Sequence, residues 1–134
     1  MDTVGAVVLS LLFPVDWKVT AAVVAAGWVW VFLPPVVCRV SWLPWEQARG
    51  LAFLNVIFIS SRCGAPGTAD YEHLLRHELQ HIKQQRIFSP WGCALFLGCW
   101  YFWHCIIKGR SFHAAWCLNP LEQDAEKAAY TARH

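Results

Sequence analysis

His77-Glu78-Leu79-Gln80-His81 carries the residue types and spacing of a metal-assisted hydrolase. On an α-helix His77 and His81 are i and i+4, so their imidazoles leave the same face one turn apart. That separation suits two nitrogen ligands on one Zn²⁺, each about 2.0–2.1 Å from the metal. Glu78, about 100° round the helix, is placed to act on a metal-activated water without ligating the metal, the general-base position of a zinc hydrolase. A bare HExxH also arises by chance. The competing reading is an amphipathic helix with a solvated His/Glu/Gln face.

A catalytic zinc has three protein ligands and an open position. Downstream lies Asn119-Pro120-Leu121-Glu122-Gln123-Asp124-Ala125-Glu126-Lys127-Ala128-Ala129-Tyr130. Asn119 suits an N-cap and Pro120 the first helical position, predicting an Ala-rich helix to about residue 132. Glu122, Glu126, Ala129 and Tyr130 share one face of it. Glu122 would complete a His₂Glu site. Glu126, one turn on, would hold a ligand imidazole by its second nitrogen. Small Ala125 and Ala129 would let this helix approach the first. The competing reading has Glu122 at N3, capping its own helix.

HELQH followed by NPLEQDAEKAA resembles the gluzincin metalloproteases. The likeness is nearest to the single-domain minigluzincins and to the catalytic cores of integral-membrane prenyl-CAAX and β-lactam-sensor proteases. It covers roughly residues 54–131 and not the N-terminal 50. The resemblance implies one zinc per chain on His77, His81 and Glu122, with Glu78 as base. Glu126 stands where many members have Asp. It also implies an edge strand just before the zinc helix, able to add an extended substrate by main-chain hydrogen bonds. Val56, Ile57, Phe58 and Ile59 are the candidates. A buried strand is the alternative.

These residues need elements to hold them. The breaker run Gly64-Ala65-Pro66-Gly67 and a candidate N-cap at Asp70 open a helix from Tyr71 to about Phe88, stopped by Ser89-Pro90. Leu74, Leu75, Leu79 and Ile82 form its apolar stripe. Residues 55–60, rich in β-branched and aromatic side chains, read as a strand, alone or in a two-stranded ribbon. His73, one turn before His77, is either a support to the site or a solvated helix-start histidine. Tyr130, His113 and His134 are candidates to stabilise an oxyanion.

The surrounding chain is greasy. Hydrophobic residues make up 57% and charged residues 15%, with nine Trp and eight Phe, a composition ordinary for a small membrane protein. A net charge of +2 with scattered basic residues argues against nucleic acid. The six Cys form no CxxC pair and read as free thiols. Residues 1–40 are expected to form a membrane-associated apolar helical hairpin, and residues 41–134 a minimal metalloprotease domain. Arg39, Trp42, Trp45 and Arg49 suit a membrane–water interface.

The apolar run Trp91–Ile107 separates the HExxH helix from Glu122. If it crossed a bilayer the ligands would lie on opposite sides, so it is expected to return. It would do so as a hairpin bent near Gly98, an interfacial helix or a packed core element. His104 within it reads as an interfacial or satisfied histidine. The Lys and Arg between the apolar runs place the catalytic face in the cytoplasm by the positive-inside tendency.

The expected fold is mainly α with a minor β component. It comprises an N-terminal apolar hairpin, a short strand or ribbon, the HExxH helix, an apolar re-entrant or interfacial helix and a Glu-bearing C-terminal helix. The expected function is a zinc-dependent metallopeptidase acting on a peptide or protein at a lipid membrane. An oligomer or partner subunit is a candidate to complete the cleft. The alternative is a non-catalytic membrane protein, or an inactive protease homologue, acting in assembly or partner binding.

Overall fold

The computed structural model describes residues 16–30, 32–44 and 48–131. The chain is mainly helical with one small sheet. Helix α1 (Trp17–Trp30) leads to strands β1 (Val36–Val40), β2 (Gly50–Phe53) and β3 (Val56–Ser60). Helices α2 (Ala69–Phe88) and α3 (Pro90–Tyr101), a π-helical segment (Phe102–Ile107), α4 (Phe112–Cys117) and α5 (Pro120–Thr131) follow. Residues 1–15 of the expected hairpin, Trp45 and His134 lie outside the described residues.

The sheet order is β1-β3-β2, with β1 parallel and β2 antiparallel to β3. This corrects the edge-strand expectation. Val56, Ile57, Phe58 and Ile59 lie in the central strand, with both backbone edges paired, so none of them can add a substrate strand. The sequence hid this because the partners come from unpromising stretches. Val36–Val40 closes a run that reads as membrane-hairpin sequence, and Gly50–Phe53 is only four residues long. Pro34-Pro35 ends the helical reading, and the β-branched Val36, Val37 and Val40 then favour a strand. The sheet therefore takes residues from the stretch assigned to the hairpin.

Asn55 holds this junction together. Its side-chain NH₂ donates to Leu33 O at 2.7 Å and Pro34 O at 2.9 Å, and its carbonyl accepts from Val36 N at 2.9 Å. Arg39 ties β1 to the turn after β3: its Nη2 donates to the carbonyls of Ser61, Cys63 and Gly64 at 3.3–3.5 Å.

Alternation along β3 sends Ile57 and Ile59 into the core. There they meet Cys63, Tyr71 and Ile82, with Ala52, Leu74, Leu75 and Leu79 packed around them. The stripe read from α2 is thus the face laid on the sheet. The N-cap of α2 is Thr68, not Asp70: the Thr68 side chain accepts from Tyr71 N. Gly67, at φ +89°, makes the turn that delivers Thr68 in an extended conformation. Asp70 falls inside the first turn, where its charge still favours the positive end of the helix dipole.

Ser89, at φ 63°, ends α2 and caps α3 by accepting from Gly92 N at 2.9 Å. α3 runs straight through Gly98, and the helix changes only at Phe102, where π geometry begins. A hairpin at Gly98 is therefore not what returns the chain. The return comes after Ile107, where α4 lies against α3 and Ala115 O accepts from Trp100 Nε1 at 2.9 Å. Of α3 and the π segment, only Pro90 and Cys93 are buried, which also excludes a packed core element. Pro90–Ile107 is long and apolar enough to cross a membrane by length and composition. All six cysteines are free thiols.

Removing three carbons from the centre of this core is expected to cost about 2–5 kcal/mol for Ile82→Ala. Loss of the cap in Thr68→Ala should cost about 1 kcal/mol. Chemical denaturation followed by circular dichroism measures both, and equal losses would contradict the core assignment.

Candidate metal centre

α5 runs antiparallel along α2, and the pairs of side chains between them climb in step. Gln84 Nε2 donates to Leu121 O and to Asp124 Oδ2, each at 2.9 Å. Gln80 Nε2 donates to the same Asp124 oxygen at 2.9 Å. One turn higher His77 meets Glu122 and Glu126, and His73 meets Glu126 and Tyr130. Ala125 and Ala129 are fully buried in α5; larger side chains there would hold the helices apart. Asn119 starts α5 by accepting from Leu121 N at 3.0 Å, as its sequence predicts.

Acceptor atoms of three residues converge where these helices meet. His77 Nε2 and His81 Nε2 are 3.2 Å apart. Glu122 Oε2 is 3.3 Å from His77 Nε2, and Glu122 Oε1 is 3.5 Å from His81 Nε2. Ligand atoms about 2.0–2.1 Å from a tetrahedral zinc stand about 3.3–3.4 Å from one another, so the spacing fits that ion. The opposite ring nitrogens are committed elsewhere. Nδ1 of His77 donates to Glu126 Oε2 at 3.2 Å, and Nδ1 of His81 donates to Gln84 Oε1 at 2.8 Å. Each partner places the ring proton on Nδ1 and leaves an Nε2 lone pair facing the shared point. Two lone pairs and a carboxylate repel one another unless a cation or shared proton sits between them.

Electrostatics follow the same geometry. Burial alone would raise the Glu122 pKa, but the adjacent His77 and His81 outweigh it and take the group down to about 2 when a proton on an imidazole Nε2 stands in the place a cation would take. Burial likewise disfavours charge on His81, yet the Glu122 carboxylate beside it raises its pKa on balance.

Glu78 stands apart from the three acceptors, on the side of α2 that faces β2. It is only 4% exposed. Desolvation pushes its pKa up to about 7, against the pull of His81, His77 and the Ala52 backbone amide. The fit to β2 is close: a Cβ on Gly50 would overlap Glu78 Oε1. Gln85 secures the next contact along, donating from Nε2 to Ala52 O at 3.2 Å.

His77, Glu78, His81, Glu122 and Glu126 are brought together, and His73 joins them through Glu126 Oε1 at 3.2 Å. The ring of Tyr130 lies edge-on to His73 at 5.0 Å. His113 is elsewhere, exposed on α4 with Nε2 3.6 Å from Cys117 Sγ. Sequence reasoning missed Gln84, Asp124, Gln85 and Gly50. Gln84 was within reach: three residues past His81 on one helix, an amide can meet the far side of that imidazole. Gly50 carried no signal, because only the fold brings it onto Glu78.

Fold and site together define a mainly helical protein with a minor mixed sheet and a His77/His81/Glu122 group able to hold a metal ion. Among known families, a model described as the eCIS core domain matches residues 46–88, about a third of the chain. That span takes in β2, β3 and α2, with His77, Glu78 and His81, and stops before Glu122. No curated protein and no solved structure matches the chain.

Metal analysis of the folded protein should find about one zinc per chain, absent in Glu122→Ala, and Gln84→Ala should weaken binding about 10- to 100-fold. Stoichiometry unchanged in Glu122→Ala would remove that residue from the site.

A second expectation concerns Glu78 in the metal-free protein. A folded-state pKa raised to about 7 from 4.5 means the folded state prefers the protonated acid. The associated stability is present below the unfolded value and lost as pH rises through 7. Glu78→Gln removes that loss, so it should raise the melting temperature more at high pH than at low pH; equal gains across the window would contradict the shift.

Proposed function

We propose that the chain is a membrane-associated, zinc-dependent metallopeptidase of gluzincin type, with His77, His81 and Glu122 holding the ion. The observation that carries this reading is the convergence of three acceptor groups from two remote helices, with a buried carboxylate beside them that belongs to none of their contacts. When bound, zinc would polarise a peptide carbonyl and lower the pKa of a water towards about 7. The chain's own groups do the rest. Glu78 accepts the proton of the attacking water and passes it to the leaving amine. Its raised pKa suits that exchange near neutral pH, and the ion's positive charge would draw it back down. Glu126 and Gln84 keep both imidazoles oriented. β2 is an edge of the sheet, and its outward groups at Ala52 are engaged by Gln85 and Glu78. Gly50 is therefore the position from which this edge can pair with an extended peptide. The peptidase face is assigned to the cytoplasmic side from the Lys and Arg that flank the apolar runs.

The uncovered apolar faces of α1 and α3 favour a second reading, in which the ion is structural and the chain assembles with a partner. Turnover separates the two. Glu78→Gln should keep zinc and lower hydrolysis of a broad peptide library about 10²- to 10⁴-fold. Gly50→Ala, whose methyl would displace the Glu78 side chain from Cγ outward, should lower kcat while zinc persists. Undiminished turnover in Glu78→Gln removes it as the base; a zinc-loaded wild type that cleaves nothing favours the structural ion.

A further inference from the structure

Two helices remain uncovered by the body that holds the metal group. α1 buries no side chain. From Pro90 to Ile107, Leu95 is 70%, Phe102 58% and Ile106 68% exposed. The two are joined: Trp91 Nε1 donates to Val24 O at 3.4 Å, and its ring lies against Gly27, where a Cβ would come within 3.0 Å. Neither carries a charge from Val19 to Trp30 or from Pro90 to Ile107.

At Lys108 the character reverses. Lys108 Nζ sits 5.4 Å from the centre of the Trp103 ring. Arg110 lies beside it, with Nη1 3.2 Å from His104 Nδ1 and its backbone N–H donating to His104 O at 2.9 Å. The His104 ring is 4.2 Å from that of Trp100. No Asp or Glu occurs between Glu78 and Glu122, so the stretch carrying this rim supplies no counter-charge. Apolar surface ending in Trp, Lys and Arg matches the layered chemistry of a lipid leaflet, with headgroups beside acyl chains.

We propose that α1 and the Pro90–Ile107 helix form a lipid-facing surface, and that Lys108 and Arg110, with Trp103, are its rim for anionic headgroups. The inference deepens the membrane association proposed above and is independent of the peptidase chemistry. Only α4 and the Asn119 turn separate the rim from the helix carrying Glu122, so rim and metal group lie on the same side of the lipid.

The test uses the full chain, diluted from detergent onto vesicles of phosphatidylcholine with or without phosphatidylglycerol. Binding should be tighter to the anionic vesicles and should weaken with salt. Each neutralised charge is worth about five-fold, so Lys108→Gln with Arg110→Gln should bind the anionic vesicles about 25-fold more weakly. Phe102→Asp with Ile106→Asp should weaken binding to both kinds while zinc content is unchanged. Equal binding of wild type and the Gln variant to both vesicles overturns the rim. Failure to bind either vesicle, with a stable dimer in solution, overturns the lipid face and assigns it to a second copy. Loss of peptide hydrolysis with vesicle binding intact would count against the peptidase reading alone.

Discussion

The approach of α5 to α2 is the constraint on which the site depends. Glu122 lies more than forty residues from His77, and nothing local brings them together. The contact exists because Ala125 and Ala129 vanish into the interface and because Asp124 accepts from both Gln80 and Gln84. The amide ladder sets the register. Sliding α5 by one turn, about 5.4 Å, would carry Glu122 past the imidazoles. The same ladder fixes the Gln84 amide, since its nitrogen is committed to α5 and only its oxygen faces His81. One glutamine thus ties helix register to imidazole orientation.

The sheet is small, yet it decides where Glu78 sits. α2 lays one stripe on Ile57 and Ile59, and neighbouring positions of the same helix reach over β2. Two carboxylates on opposite flanks of the imidazole pair therefore acquire opposite properties. Glu122 lies half-buried against the two imidazoles, whose proximity keeps it ionised far below neutrality. Glu78 is buried against backbone with little compensation and is poised near 7.

The reach of the sequence follows from the range of the forces involved. Helical spacing places His77 and His81 on one face, and the cap at Asn119 and the stop at Ser89-Pro90 are local chemistry, so these elements are legible. Glu126 was legible for the same reason: it lies one turn from Glu122. The sheet was not, because pairing is non-local. Val56–Ile59 look alike whether they form an edge or the centre, and β1 comes from residues whose composition suggests lipid. Asp70 and Thr68 are both good caps, and the backbone turn at Gly67 chose between them. Gly50 is the extreme case, since a residue with no side chain advertises no contact.

The apolar stretch between the metal helices shows how a non-local requirement limits what local composition permits. Taken alone, Pro90–Ile107 has the length and hydropathy of a membrane span. Taken with Glu122, it must begin and end on the same side as His77. The structure returns the chain after this helix and not within it. It lets the segment run its full length, widens it into π turns, and folds α4 back so that Ala115 accepts from the Trp100 indole. That hydrogen bond, with Phe112 stacked on Tyr101 at 4.5 Å, directs the chain towards Asn119 and hence Glu122 towards the histidines. Trp100 and Glu122 are therefore linked through α4: a displacement that broke the Trp100–Ala115 hydrogen bond would release the segment that leads to Asn119 and so to Glu122.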